Sequence, residues 1–300
     1  MKRVNVSICI CTRQRQEGLK KLLYSFEKMQ TPPDTNIRII VVENDLENFS
    51  EYLINEFSLK SKFRISYYLE TRQGVVFARN RSVEEAKDCD FCCFTDDDQI
   101  ITPNWLTELL KCQNEFNADC VAGPTFPMFG REVPAFIKEF HSPAIFHYGA
   151  IISHAYTGCL LVRKYFLDML DGPFEIRLNF TGGEDSHLTF QISNLGGIIR
   201  FNPNAIAYEI IPESRSTLKY LIKRKFMTSN TALLILSLTD KNFTKTGTMI
   251  RLVMRFFYGL LILIPFLVFG KSDKLKGLTK IINATGGFAF MLGRTNQFYK

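Results

Sequence analysis

The chain has 300 residues, of which 46% are hydrophobic and 22% are charged, and its formal net charge is +7. A composition this rich in apolar residues excludes an intrinsically disordered chain and is sufficient for one large hydrophobic core or two smaller ones. The charge is uneven, because residues 214–300 contain 15 Lys and Arg but two Asp and Glu, whereas residues 1–213 are mildly acidic. This basic segment predicts an anionic partner, either nucleic acid or the lipid head groups of a cytoplasmic leaflet.

The cysteines and the N-terminal residues predict a cytoplasmic protein. Most of the eight cysteines lie in apolar, strand-like segments, which predicts reduced thiols in the core. Cys89 and Cys92 form a C-x-x-C pair, but no second Cys or His pair follows at zinc-site spacing, which argues against a zinc site. The first residues carry positive charge without the long apolar stretch and cleavage site of a secretory signal, so we expect a cytoplasmic start.

The first half of the chain alternates β-rich runs with segments of helical spacing. The predicted strands are 4–11, 37–43, 63–69, 91–95 and 120–123. This alternation predicts an α/β fold with a mainly parallel, Rossmann-like sheet and helices on both faces. Because ligands bind at the carboxyl ends of strands in such sheets, the residues just after Cys11, Val42 and Thr95 are the first candidates for a site.

The middle of the chain contains a long irregular stretch. The prolines, glycines and aromatic residues of 124–156 predict a loop that lines or covers a site. After this stretch we predict a strand over 157–162, a helix over 184–195, and two short strands at 198–201 and 205–209.

After Pro212 the sequence changes to three long helical stretches, at 218–238, 249–269 and 275–291. The uncharged run between Arg255 and Lys271 is shorter than the stretch of about 20 apolar residues that a membrane span needs. Basic residues also flank this run on both sides, so a single crossing would place one basic cluster on the unfavoured side. We therefore predict a re-entrant or interfacial hairpin, with a membrane span or a buried helix as the alternatives.

Three consecutive carboxylates, Asp96, Asp97 and Asp98, directly follow an apolar strand. Carboxylates crowded at a strand end raise each other's pKa, so a divalent cation is their natural partner. Mg²⁺ and Mn²⁺ prefer one or two carboxylates together with diphosphate oxygens, and such an ion can neutralise a departing nucleoside diphosphate. The competing interpretation is a solvated acidic turn or a helix cap.

Two further signals carry chemistry. Glu184 and Asp185 follow a glycine turn at the start of a predicted helix, where carboxylates can also serve simply as caps. Gly74 precedes an Ala-Arg-Asn helix start in which Arg79 offers a rigid fork of donors for a diphosphate or ribose. An ordinary surface charge is the alternative interpretation of Arg79.

This ordered set resembles the family 2 glycosyltransferases of the GT-A fold, over about residues 4–226. The acidic triplet resembles the D-x-D motif of that family. The resemblance implies that Asp98 holds the metal and diphosphate, that Asp96 lies nearer to the ribose or sugar and can also bind the metal, and that Asp97 shares either task. It further implies that Asp185 is the general base of an inverting transfer and that Glu184 orients it or contacts the acceptor.

The same resemblance extends to the nucleotide and to the metal shell. It places Thr12 and Arg13 in the turn under the nucleotide. Glu43 stands where the family usually has an Asp that binds the base or ribose, and Asp45 is an alternative carboxylate, so the choice between them stays open. Glu209 lies near the position where many relatives present a His that completes the metal shell, and it is a further candidate ligand, with a water molecule as the alternative.

The sequence therefore predicts a GT-A catalytic domain at 1–213, with a nucleotide-binding part at about 1–100 and an acceptor part at about 101–213. A basic, helical, membrane-associating tail is expected at 214–300. The expected enzyme uses Mg²⁺ or Mn²⁺ and moves a sugar from a nucleotide-diphosphate sugar to a glycan or lipid-linked acceptor in surface-polysaccharide biosynthesis.

The expected location is the cytoplasmic face of the membrane, where the tail would bind an anionic surface as a peripheral or monotopic element, without a nucleic-acid partner. Two other functions compete with this prediction. A sugar-phosphate nucleotidyltransferase would have a glycine-rich, Arg-containing loop after the first strand, and this chain has Cys11-Thr12-Arg13-Gln14 there. The second alternative is a non-catalytic protein that binds membranes or nucleic acid through its tail.

Overall fold

The structure is a computed structural model that describes residues 3–240, 242–269 and 274–294. The described residues form two compact units. The first comprises residues 3–179 and 184–212, and the second comprises residues 180–183 and 213–294.

The first unit contains two β-sheets and seven helices among its described residues. In chain order the strands are β1 (Val4–Thr12), β2 (Thr35–Glu43), β3 (Arg64–Leu69), β4 (Phe91–Asp96), β5 (Gln99–Ile101), β6 (Cys120–Ala122), β7 (Thr125–Phe129), β8 (Ala150–Ile151), β9 (Leu160–Arg163), β10 (Ile199–Phe201) and β11 (Ala207–Ile211). The helices are α1 (Gln16–Glu27), α2 (Glu51–Ser58), α3 (Val75–Glu85), α4 (Trp105–Phe116), α5 (Ala135–His141), α6 (Lys164–Asp168) and α7 (Glu184–Asn194).

The large sheet has eight strands in the order β3-β2-β1-β4-β9-β6-β10-β8. Its first half is parallel, because β1 pairs in parallel with both β2 and β4, and β2 pairs in parallel with β3. Strand β9 is antiparallel to its neighbours β4 and β6. The small sheet has the order β5-β11-β7. The prediction of a mainly parallel sheet is confirmed.

Apolar side chains cover both faces of the large sheet. On one face, Val6, Ile8 and Ile10 of β1 belong to a buried cluster with residues of α1 and α4. On the other face, Cys9 of the same strand belongs to a second cluster with residues of α3 and α7. Successive residues of a strand point to opposite faces, so a continuous apolar run is what a sheet with helices on both sides requires.

The irregular stretch predicted at 124–156 contains more regular structure than expected. It includes β7, α5 and β8. The two strands form by pairing with partners that lie far along the chain, β7 with β11 in parallel and β8 with β10. The strand predicted over 157–162 begins later, at Leu160, since Thr157–Cys159 form a 3₁₀ turn. Short strands that depend on distant partners are difficult to predict, because their own residues show little periodicity.

The second unit consists mainly of three helices, α8 (Leu218–Thr239), α9 (Lys245–Phe269) and α10 (Lys274–Met291). Helix α10 packs against both α8 and α9. The backbones of α9 and α10 approach closely at two glycines, since a Cβ atom on Gly259 or Gly277 would lie 3.0 Å from the carbonyl oxygen of the other. Residues 180–183 belong to this unit, where Thr231 Oγ1 donates to the carbonyl oxygen of Thr181 at 3.0 Å.

Helix α9 has an exposed apolar face. Ile250, Met254, Phe257 and Leu261, at helical spacing, are 55%, 58%, 58% and 62% exposed. Within the described residues, one segment, Lys245–Leu263, is long and apolar enough to cross a membrane, with a mean hydropathy of 1.4. Lys271, which was expected to flank the apolar run, lies outside the described residues.

Candidate active site

The candidate site lies where β1, β2 and β4 end together. Thr12, the last residue of β1, pairs with Glu43 at the end of β2, and Cys11 pairs with Asp96 at the end of β4. The strand register therefore brings three of the predicted segments to one edge of the sheet. This edge is the carboxyl end of its parallel half, where ligands bind in folds of this type.

The middle carboxylate of the triplet is buried and bonded on both sides. Asp97 Oδ2 accepts a hydrogen bond from Thr12 Oγ1 at 2.8 Å, and Asp97 Oδ1 lies 3.0 Å from Arg15 Nη1. Burial raises the pKa of Asp97 to about 6, although Arg15 opposes that shift. Asp97 and Thr12 thus hold the acidic loop against the first strand, which is a positioning role.

The outer two carboxylates of the triplet are more accessible. The Asp96 side chain is 43% exposed and that of Asp98 is 19% exposed. The same Arg15 Nη1 atom that contacts Asp97 also lies 3.0 Å from Asp98 Oδ2. Arg15 was not among the residues predicted from the sequence, which included Arg13, two positions earlier and also after β1.

Arg79 connects the two acidic clusters. Its Nη1 atom pairs with Glu184 Oε1, and its Nη2 atom lies 3.3 Å from Asp96 Oδ1. Burial disfavours the charged form of Arg79, but Glu184, Asp96 and Asp185 outweigh this effect and raise its pKa. Residues that are about 90 positions apart in the sequence are therefore gathered around one guanidinium. The interpretation of Arg79 as an ordinary surface charge is wrong, because its side chain is only 10% exposed.

The helix that carries Arg79 is held by the residues around it. The guanidinium lies over the Phe174 ring, 5.6 Å from its centroid. Asn80, the next residue, donates from Nδ2 to the Phe174 carbonyl oxygen and accepts from the Phe174 amide, both at 2.9 Å. In the Ala-Arg-Asn sequence, the alanine is buried, the arginine bridges two carboxylates, and the asparagine bonds to the backbone of Phe174.

The start of α3 depends on a glycine. Gly74 has φ +123°, and a Cβ atom there would overlap the Asn179 side chain. Asn179 fills this space, accepting from the Val76 amide at 3.1 Å and donating to the Gln73 carbonyl oxygen at 2.9 Å. From the other side, Asn44 Oδ1 accepts from the Gly74 amide at 2.7 Å. Only glycine provides both this backbone conformation and this close approach.

The second acidic pair has one oxygen available for a ligand. Glu184 Oε2 is buried and has no hydrogen-bond partner among the described residues. Burial raises the pKa of Glu184, while Arg79 opposes the shift. Asp185 Oδ1 accepts from the Ser186 amide at 2.7 Å, so Asp185 also caps the first turn of α7. A buried carboxylate oxygen without a partner is costly, which is consistent with a polar ligand group at this position.

The two carboxylates after β2 have different surroundings. Glu43 is fully buried, and its Oε2 atom accepts from the Ser50 amide and from the Tyr67 hydroxyl, both at 2.7 Å. Asp45 Oδ2 instead accepts from Gln14 Nε2 at 2.7 Å and lies 3.7 Å from Arg13 Nε. Glu43 is therefore bonded to residues of the protein interior, whereas Asp45 contacts the turn after β1.

An open cavity of about 450 Å³ adjoins Arg15. It is lined by Gln14, Arg15, Gln16, Glu17 and Phe49. Phe49 is 41% exposed, so an aromatic surface is available beside lining residues that are otherwise of polar or charged type. This combination suits a group that has a flat aromatic face and hydrogen-bonding edges.

The donor set fits a hard divalent cation with incomplete protein ligation. Asp96 and Asp98 supply accessible carboxylate oxygens of the kind that Mg²⁺ and Mn²⁺ prefer. Across residues 3–240, 242–269 and 274–294, however, no three His, Cys, Asp or Glu side chains are grouped as a metal site requires. Glu209 pairs with Gln99, the residue after the triplet, so the backbone of β11 lies beside the acidic loop.

Comparisons with known proteins identify the family of the chain. Residues 7–168 match the family described as Glycosyl transferase family 2. The chain is 31% identical over 230 residues to the succinoglycan biosynthesis protein ExoM of Rhizobium meliloti (strain 1021), which covers 76% of this chain and 74% of that protein.

Two solved structures share the fold at low sequence identity. One is the mannosyltransferase PcManGT from Pyrobaculum calidifontis in complex with GDP-Man and Mn²⁺, with a TM-score of 0.61 and 14% identity, over 81% of this chain and 66% of that chain. The other is S. aureus TarS 1-349 in complex with UDP, with a TM-score of 0.54 and 16% identity, over 100% of this chain and 93% of that chain. These neighbours confirm the predicted GT-A fold, and the family match together with the ExoM relative shows that the chain belongs to glycosyl transferase family 2.

Proposed function

We propose that the chain is a metal-dependent, inverting glycosyltransferase that moves a sugar from a nucleotide-diphosphate sugar to a glycan or lipid-linked acceptor in polysaccharide biosynthesis. The observation that carries this proposal is Arg79, which contacts Asp96 of one acidic cluster and Glu184 of the other. A site for sugar transfer needs a group that binds the leaving diphosphate and a base for the acceptor, and we assign one of these roles to each cluster. The name of the ExoM relative, a succinoglycan biosynthesis protein, supports the polysaccharide role.

The nucleoside is proposed to occupy the open cavity beside Arg15. Phe49 offers a face on which a base can stack, and Gln14 offers an amide for its polar edge. Asp45, already bonded to Gln14, is the carboxylate proposed for the ribose hydroxyls, and Thr12 and Arg13 complete the adjoining turn. Glu43 supports this turn from behind through Ser50 and Tyr67.

Asp98 and Asp96 are the residues proposed to hold Mg²⁺ or Mn²⁺ against the diphosphate. When bound, such an ion neutralises the charge that develops on the departing nucleoside diphosphate. Arg15 adds a positive charge at the same place, because it reaches both Asp97 and Asp98. Glu209 remains a candidate for an additional ligand, on the strand next to the acidic loop.

Asp185 is the proposed general base. It stands at the first turn of α7 beside Arg79 and Glu184, and it takes the proton of the acceptor hydroxyl as that oxygen attacks the anomeric carbon. The attack comes from the side opposite the diphosphate, so the configuration of the sugar is inverted. Glu184 accepts a hydrogen bond from the acceptor through Oε2, its oxygen without a protein partner.

A thermal-shift screen of nucleoside diphosphates, with and without Mn²⁺, tests the donor proposal. A ligand at 100 times its Kd stabilises the folded protein by about 2.7 kcal/mol. We expect one nucleoside diphosphate to raise the Tm only when Mn²⁺ is present, and Asp98→Asn to abolish this effect. Asp171→Asn, which changes an exposed carboxylate outside the site, is the matched control. If no nucleotide stabilises the wild type, the proposal fails.

We further propose that the second unit binds the anionic cytoplasmic face of a membrane through α9. The exposed apolar stripe of α9 supports this, as does the excess of Lys and Arg after residue 213. The test is flotation of the full chain with vesicles of anionic or neutral lipid. Phe257→Glu combined with Met254→Glu should prevent binding to anionic vesicles, whereas Tyr52→Glu, at an exposed aromatic residue of α2, should leave it intact.

If the α9 variant still floats with anionic vesicles, the stripe is not the binding surface. Equal flotation of the wild type with neutral vesicles would exclude the electrostatic contribution. Neither the nucleotidyltransferase alternative nor the non-catalytic alternative receives support from the family match or from the site.

A further inference from the structure

Two thiols are in contact at the end of β4 that is remote from the acidic loop. The sulfur atoms of Cys89, in the turn before β4, and Cys92, within the strand, are 3.8 Å apart. Cys92 is fully buried, whereas Cys89 is partly exposed. The C-x-x-C spacing therefore places one accessible thiol directly against one inaccessible thiol.

Cys89 differs from the other cysteines in its chemistry as well as in its exposure. All eight cysteines are free thiols, and only Cys11 and Cys89 are not buried. Burial of its sulfur raises the pKa of Cys11 far above the ordinary value, so its thiolate is scarce at neutral pH. The pKa of Cys89 is lowered to about 7. The accessible cysteine that readily forms a thiolate is thus the one that touches a second thiol.

The groups facing Cys89 explain the lowered pKa. The largest contribution is the hydrogen bond from the Cys92 thiol, and burial opposes it. Ser7 of β1 adds a second hydrogen bond, and Lys164 of α6 and Arg38 of β2 add positive charge. Arg38 is held in this position, since its Nε atom donates to Ser7 Oγ at 2.9 Å. A thiolate stabilised by a neighbouring thiol and nearby cations is the usual environment of a reactive cysteine.

We propose that Cys89 and Cys92 form a reversible dithiol–disulfide site whose co-substrate is a small-molecule disulfide of the glutathione type. The Cys89 thiolate attacks one sulfur of that disulfide, forms a mixed disulfide and releases one thiolate. Cys92 then loses its proton to that thiolate or to solvent and attacks the Cys89 sulfur, which releases the second small thiol. The protein pair loses two electrons, and one small disulfide becomes two thiols.

Ring closure requires little movement of the chain. The sulfur atoms must approach from 3.8 Å to about 2.05 Å, and Cys92 is fixed because β4 pairs with β1 and β9 on either side. The turn that carries Cys89 therefore supplies the movement. The site depends on neither the acidic clusters nor the proposed sugar transfer.

Mass spectrometry of the intact full-length protein after incubation with oxidised glutathione tests the proposal. We expect wild type to lose two hydrogens without a lasting adduct, and dithiothreitol to reverse this loss. Cys92→Ser should instead retain one glutathionyl group on Cys89, because the resolving thiol is absent. Cys89→Ser should not react, and Cys11→Ser, which removes the other accessible thiol, should behave as wild type.

The pH dependence of alkylation provides a second measurement. The thiolate fraction of Cys89 rises with pH, so its rate with iodoacetamide should reach half its maximum near pH 7, rather than near the ordinary value of about 8.5. A stable glutathione adduct on wild type, or no reaction of Cys89 in the folded protein, overturns the proposal. An unaltered reaction in Cys89→Ser would do the same.

Discussion

Two arginines each contact two carboxylates of the candidate site, and the two arginines differ in how far their side chains are exposed to solvent. The side chain of Arg79 is 10% exposed and bridges Asp96 and Glu184, whereas that of Arg15 is 46% exposed and bridges Asp97 and Asp98. Removing one partner of a buried ion pair leaves an uncompensated charge, which is expensive, while a solvent-exposed pair contributes little. We therefore expect Arg79 to be needed for the stability of the site. Arg15 is expected to be displaced from Asp98 when a metal cation binds there.

The comparison is tested most strongly by removing one carboxylate from each cluster. Asp185→Asn should lower kcat by about 10²–10⁴-fold, since it removes a general base, and should leave Mn²⁺-dependent nucleotide binding intact. Asp98→Asn should eliminate both turnover and that binding. Sugar-transfer assays and calorimetric titration with a nucleoside diphosphate separate the two effects. Equal loss of nucleotide binding in both variants would contradict the division of roles between the clusters.

The next largest effect is expected at the buried arginine. Arg79→Gln should lower the free energy of unfolding by ~3–5 kcal/mol, because it leaves Glu184 buried without its cation. Urea denaturation measures this loss, and adding Glu184→Gln should recover part of it. A loss below about 1 kcal/mol would mean that water reaches this pair in solution.

A smaller effect is expected at the aromatic wall of the cavity beside Arg15. Phe49→Ala should weaken binding of the nucleotide by ~1–3 kcal/mol, which is the range for stacking of a base on an aromatic side chain. The KM for the nucleotide sugar should rise accordingly, with little change in kcat. Tyr52→Ala changes a more exposed aromatic residue on the neighbouring helix and is the matched control. Unchanged KM in Phe49→Ala would move the nucleoside elsewhere.

The smallest effect on stability is expected at the exposed arginine. Arg15→Gln should change the free energy of unfolding by less than about 1 kcal/mol, because the Arg15 side chain is 46% exposed. Without nucleotide, however, Mn²⁺ should bind this variant more tightly than wild type, since Arg15 no longer competes for Asp98. Electron paramagnetic resonance of free Mn²⁺ measures the affinity, with Arg13→Gln as the control. Weaker Mn²⁺ binding would show that Arg15 assists the cation instead.

The sequence was sufficient to predict the parallel half of the sheet and the segments that end at the site. Apolar runs such as the one at Val6–Ile10 carry their strand assignment locally, and the carboxyl-end rule then selects Thr12 and Asp96. The small sheet was less accessible, because β5 and β7 are short strands whose partner, β11, lies far along the chain.

The roles of individual side chains were harder to predict than the segments that form the site. Glu43 and Asp45 are two residues apart with the same charge, and both are buried. Only their three-dimensional partners distinguish Glu43, bonded to Ser50 and Tyr67, from Asp45, which faces the turn after β1. Arg15 follows Arg13 by two residues, and the start of α1 decides which of them reaches the acidic loop. Such choices depend on side-chain direction, which spacing alone does not provide.

The Asn179 side chain that fills the space beside Gly74 has a consequence for how the protein is made. It bonds to the Val76 amide across 103 positions of sequence, so the first turn of the helix that carries Arg79 lacks this partner until the ribosome has released most of the first unit. Contacts of such long range slow folding, because a large loop must close before they form. We therefore expect that residues 1–100 do not fold as an independent module, and that a fragment ending before residue 179 shows poor amide-exchange protection in α3.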